Sequence, residues 1–117
     1  MTEYSKQALN AEISQDIRVT AFKILRNVVL ATPVDTGRAR GNWQVGIDSF
    51  KINTVDVTDK SGGVAINAGA LELKGVRDYQ TVWITNNLPY IAALNDGSSA
   101  QAPKKFVETG IRRAIND

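Results

Sequence analysis

The chain contains no cysteine and no histidine. The first absence excludes disulfides, thiolate metal sites and cysteine nucleophiles. With both missing, the commonest general base and the most reactive nucleophile are gone. Long apolar runs are missing too. None approaches the roughly 18 residues of a membrane helix. The opening stretch MTEYSKQALNAEISQD has no apolar core of the kind a signal peptide needs. These absences lead us to expect a soluble protein made in the cytoplasm, without membrane partners. Charge of either sign is also scarce in net terms: 14 basic residues face 12 acidic ones, leaving +2. That balance does not announce a nucleic-acid binder.

What remains is an ordinary globular composition, 43% hydrophobic and 22% charged. A chain of 117 residues fits one domain over 1–117. A chain of that size buries roughly two-thirds of its unfolded surface. Helical spacing comes first. Leu9, Ile13, Ile17, Ala21, Ile24 and Val28 form one stripe, widened by Phe22, Leu25 and Val29, and predict a helix over residues 5–31. Pro33 stops it, because the residue before a proline avoids the α region. Trp43, Val45 and Ile47 then alternate with polar neighbours as a half-buried strand. Phe50, Ile52, Val55 and Val57 extend the alternation to about Thr58, with a bend at Asn53-Thr54.

The stretch SGGVAINAGALELKGV fits two patterns. Val64, Ala68 and Leu71 lie on a helix face; Val64, Ile66 and Ala68 would face one way on a strand. The alanines and the Glu-Leu-Lys ending favour a short helix, capped by Ser61 and left at Gly75. TVWITN, residues 81–86, is rich in β-branched and aromatic residues and predicts a strand. Asn87-Leu88-Pro89 opens a short helix that closes at Asn95-Asp96-Gly97. A last helix is expected from Pro103 to about Ile115, with Val107, Ile111, Ala114 and Ile115 inward. The expected fold is α+β: a long N-terminal helix, a small antiparallel sheet, short helices, and a C-terminal helix packed on one side.

Two stretches invite a functional reading. TPVDTGRARGNW, residues 32–43, lacks the lysine and hydroxyl of a phosphate-binding loop and leads into a strand rather than a helix. As a turn it is well explained: Pro33 stops the helix, Asp35 caps the turn and Gly37 supplies a positive φ. Arg38 and Arg40 are left over. Guanidinium groups form bidentate contacts with carboxylates, so these two are candidates for pairing with a neighbouring subunit, with little effect on the fold expected from their removal. The second stretch is NNLPYIAALNDGSSAQAPKKFVE, residues 86–108. Tyr90, Asp96 and Gln101 mark its corner. Lys104 and Lys105 stand at a helix start, where cations oppose the macrodipole and fit an acidic partner or solvation equally well. The carboxylates Asp35, Asp48, Asp56, Asp59, Glu72, Asp78, Asp96 and Glu108 are scattered, and nothing pairs any two for acid–base work.

Taken together and in this order, the two stretches resemble the tail-completion or neck proteins of long-tailed bacteriophages, the group of minor tail protein Z and its relatives. The matching residues are Thr32-Pro33-Val34-Asp35-Thr36-Gly37, then Trp43, then Asn87, Pro89 and Tyr90, then the run from Gly97 through Phe106. In order and spacing the likeness covers roughly residues 31–115, and residues 50–80 carry little of it. The resemblance implies a structural virion protein at the head-proximal end of the tail. It implies a homo-oligomeric ring of six or twelve copies that joins the tail to the head connector or stopper, with tail tube or terminator proteins as further partners. DNA would pass through as a non-specific passenger. No catalysis, metal or cofactor is implied. Arg38, Arg40, Tyr90, Asp96, Gln101, Lys104 and Lys105 would then serve subunit and partner contacts.

An alternative reading is a small nucleic-acid-binding module using Arg38, Arg40, Lys104, Lys105, Arg112 and Arg113. It lacks a clear recognition helix and any interleaving of aromatic and basic residues for stacking.

Overall fold

The structure is a computed structural model that describes residues 3–98 and 105–116, with side chains of the first helix from Gln15 onward. Helix α1 spans Glu3–Ala31, and a single turn, α2, spans Arg38–Gly41. Strand β1 is Trp43–Ile47, helix α3 Gly63–Leu73 and strand β2 Val82–Asn86. A short helix α4, Ile91–Ala93, runs into a wide turn at Leu94–Ser98, and α5, Phe106–Asn116, follows. The architecture is α+β, as the pattern of elements predicts.

β1 and β2 pair antiparallel as a two-stranded sheet, in the register Trp43↔Asn86, Val45↔Ile84 and Ile47↔Val82. Because side chains alternate, these residues share one face and lie against the core. That core is built on α1, where Leu25, Val28 and Val29 are fully buried beside Trp43, Val45, Val76 and Phe106. Each such side chain contributes about 1.5–3 kcal/mol by leaving water. α3 packs against both α1 and β1, while α5 packs along α1. Across that second contact Asn27 Nδ2 donates to Gly110 O at 3.1 Å.

The other face of the sheet carries Gln44, Trp83 and Thr85, and residues 50–55 cross it. These residues join no strand, and the chain bends at Asn53. Side chains hold their backbone instead. Gln44 Nε2 donates to Asn53 O at 2.7 Å, and Asn87 Nδ2 donates to Lys51 O at 2.8 Å. The return over the sheet is tight at Gly46, where a Cβ would lie 2.1 Å from Ser49 O. Phe50 tilts against Trp83 with ring centroids 5.1 Å apart, the spacing of a favourable aromatic pair.

Several local expectations shift. The proposed cap Ser61 stands one residue early: Gly62 is the N-cap, Ser61 Oγ accepts from Gly63 N, and Asp59 Oδ2 accepts from Ala65 N at 2.9 Å. α3 ends at Leu73 rather than at Gly75. The short helix after β2 is capped at Tyr90, later than Asn87 or Leu88, since residues 89–90 form a turn. α5 begins at Phe106; Pro103 lies outside the described residues. Ile115 is 63% exposed, because Phe106, Gly110 and Ala114, spaced by four, define the buried edge of that helix.

Candidate assembly site

α1 ends where Thr32 turns its hydroxyl back to Val28 O, at 2.5 Å, and Pro33 blocks continuation. Four residues later Gly37 adopts φ +90, and a Cβ there would lie 2.5 Å from Lys60 N and 2.6 Å from Asp59 N. Gly37 O accepts from Asp59 N at 3.0 Å, so the turn is docked on the segment ahead of α3. The side-chain acceptor within the turn is Thr36, whose Oγ1 takes the Arg38 N–H at 3.2 Å; Asp35, expected to cap it, is exposed. The stretch leads into β1 at Trp43 as expected, with the single turn α2 formed within it.

Arg40 turns inward to the backbone. Its Nη2 donates to Leu30 O at 2.8 Å, its Nε to Thr32 O at 2.9 Å and its Nη1 to Lys60 O at 2.8 Å. The first two acceptors are carbonyls at the C-terminal end of α1, which lack helical partners and carry the negative end of the dipole. A planar fork of donors on a permanent cation suits three such acceptors. Arg40 is therefore a fold determinant, contrary to the expectation that its removal leaves the fold untouched. Arg38 is exposed, and its backbone carbonyl accepts from Asn42 Nδ2 at 2.8 Å.

Asn42, fully buried, also treats Val55 as a strand would: its Oδ1 accepts from Val55 N at 2.8 Å and its Nδ2 donates to Val55 O at 3.1 Å. Asn86, on β2, donates through Nδ2 to Ala39 O at 2.9 Å and accepts from Leu88 N at 3.2 Å. That pair of bonds brings the second stretch to the first. Residues 33–39 face Tyr90 and Leu94 across a recess of about 210 Å³. Arg38 and Tyr90 thus line one recess, although 52 positions separate them in the sequence. Arg40 is not part of its lining.

The remaining candidates spread out. Asp96 is exposed in the wide turn at Leu94–Ser98. Asn95, beside it, donates to both Glu108 carboxylate oxygens and accepts from Val107 N at 3.0 Å, fastening the start of α5. Lys105 is exposed with φ +58, and its N–H donates to Asn95 O at 2.5 Å. Gln101 and Lys104 lie outside the described residues. Arg112 and Arg113 are exposed on α5. Among the described residues no group of three or more His, Cys, Asp or Glu side chains could hold a metal ion, and no helix is long and apolar enough to cross a membrane.

The recess offers an exposed cation, Arg38, an exposed carboxylate, Asp35, and a half-exposed phenol, Tyr90, around an apolar wall that includes Leu94. Such a set presents shape and charge on which a side chain from outside can be held, and it brings no nucleophile–base pair together. The amides of Asn42, Asn86 and Asn95 escape sequence reasoning. Their only signal is a frequency of Asn at turns, which Asn shows for local reasons as well. Compared with family models, curated proteins and solved structures, the chain finds no match.

Proposed function

We propose that the chain is a tail-completion or neck protein of a long-tailed bacteriophage. Copies form a ring at the head-proximal end of the tail and join it to the head connector, with DNA passing through the ring. The observation that carries this reading is the meeting of the two motif stretches. Of the residues that bear the resemblance, those of 33–37 meet Tyr90 at one corner, tied by the Asn86–Ala39 bond and the recess between Arg38 and Tyr90. A corner built from distant parts of the chain and left open to solvent is a reasonable contact surface for an adjacent subunit. In this reading Arg38, Tyr90, Asp96 and Lys105 serve contacts with neighbours, as is expected of Gln101 and Lys104 outside the described residues, and Arg40 supports the corner from within.

Deleting the gene in the phage or prophage that carries it tests the reading. Electron microscopy of the lysate should show filled heads and separate tails, with joined particles restored by the wild-type chain. Normal joined particles from the deletion would overturn it.

A further inference from the structure

Away from that corner, α1 and α3 border a groove of about 410 Å³. Its floor is Val19, Phe22, Ala70 and Leu73, and its rim is Arg18, Lys23, Arg26 and Lys74. On α1 the lining positions form two rows spaced by four, Arg18, Phe22 and Arg26 beside Val19 and Lys23, and so share a single face. Among the described residues no carboxylate lines the groove. Arg18 donates from Nε and Nη2 to Val76 O, at 3.2 and 2.8 Å, and Arg26 donates to Asn27 Oδ1 at 3.4 Å. These partners are neutral, so both guanidinium groups keep their charge at the rim. Val19 is 48% exposed, leaving part of the apolar floor open to water.

The same chain carries a segment of opposite character. Residues 3–16 of α1 hold Glu3, Glu12 and Asp16 against a single lysine, Lys6, and include the apolar Leu9 and Ile13. Glu12 and Asp16 stand four positions apart in the sequence. At 1.5 Å per residue α1 is about 43 Å long, in a molecule measuring 55 × 29 × 20 Å. A continuous helix does not fold back on itself. Asp16 stands one turn before Val19, at the near end of the groove of its own copy, whereas the residues before it run away along the helix axis and can lie along the length of the groove only in another copy.

We propose that the groove between α1 and α3 receives the acidic N-terminal part of α1 from a second copy of the chain. The proposal rests on the ring reading for the presence of a second copy, and on charge complementarity for the surface. Opposite charges around an apolar floor steer encounter and set register, while the floor supplies contact area.

A charge swap tests it, read by sedimentation of the purified chain. Wild type should self-associate at low salt and more weakly at about 0.5 M, where the Debye length falls below about 5 Å. Lys23→Glu with Arg26→Glu should weaken association about tenfold or more, as should Glu12→Lys with Asp16→Lys, because each replaces attraction by repulsion. All four changes together should restore it. A wild-type chain that stays at 12.7 kDa overturns the proposal. So does a groove variant that associates like wild type, or a combined variant, folded by circular dichroism, that fails to recover. Should the α1 variants misfold, Lys74→Glu is read in the same way. The proposal and the functional reading fail separately. A failed swap alongside unjoined particles from the gene deletion removes the groove alone. A successful swap alongside normally joined particles keeps the groove and removes the virion role.

Discussion

The indole Nε1–H of Trp43 donates to Thr32 Oγ1 at 2.8 Å, and both residues are buried. The same hydroxyl donates onward to Val28 O at 2.5 Å. A hydroxyl has one hydrogen to give and two lone pairs, so it serves both bonds at once. The first and last residues of the 32–43 stretch are thereby locked to each other and to the end of α1.

Thr32→Val keeps the shape of the side chain and leaves the indole N–H without its acceptor. The expected loss is about 1–3 kcal/mol, the desolvation cost of a buried unpaired donor. Trp43→Ala should cost about 3–5 kcal/mol, as large aromatic truncations in cores do. Thr32→Val combined with Trp43→Phe should lose less than the two single changes summed, because they share one bond. Urea unfolding measures all of these. Strict additivity would mean the bond contributes nothing.

Arg40 and Arg38 should separate sharply. Arg40→Ala removes three bonds to backbone carbonyls and should cost about 1–3 kcal/mol. Arg40→Lys should recover only part of this, since an ammonium cannot reproduce the planar fork. Arg38→Ala should stay within about 0.5 kcal/mol in stability, as exposed substitutions do, while weakening assembly of particles. Equal melting temperatures for the Arg40→Ala protein and wild type would contradict the assignment.

Gly37→Ala should be among the most damaging single changes outside the core. The positive φ alone costs a non-glycine residue about 1–3 kcal/mol when held in a strained region. The added methyl would also overlap the backbone of Asp59 and Lys60. A drop in thermal midpoint of several degrees is expected, since about 1 kcal/mol shifts a domain of this size by roughly 4–8 °C. An unchanged midpoint would show that the turn can relax away from the segment before α3.

Some elements could be read directly from residue patterns. The apolar stripe of α1 and the alternation of Trp43, Val45 and Ile47 follow from burial on one face, which periodicity records. Residues 50–57 alternate in the same way and yet form no strand. Their polar backbone groups are met by Asn42, Gln44 and Asn87 side chains, a tertiary arrangement that alternation does not encode. Arg40 was hidden for a related reason. A cation two residues from an exposed one looks solvated until the fold brings Leu30, Thr32 and Lys60 carbonyls around it. The recess between Arg38 and Tyr90 arises because Asn86 hydrogen-bonds to Ala39, which no local pattern announces.

DNA should be a passenger rather than a ligand. The net charge is +2, and Arg40 is engaged within the chain. Weak attraction to duplex at low salt should vanish at about 0.15 M, because a few phosphate contacts lose affinity steeply as counterions compete. Titration of labelled duplex and single strands checks this. Binding at micromolar or tighter affinity that survives about 0.15 M salt would favour the nucleic-acid-module reading.

The central claim is a location. Under the proposed function, particles released from cells that carry this gene can be purified, labelled with gold-conjugated antibody against the chain and imaged by electron microscopy. The account predicts label confined to the junction of head and tail, and none along the tube or on the capsid faces. Particles free of the chain, or label distributed elsewhere, would contradict it.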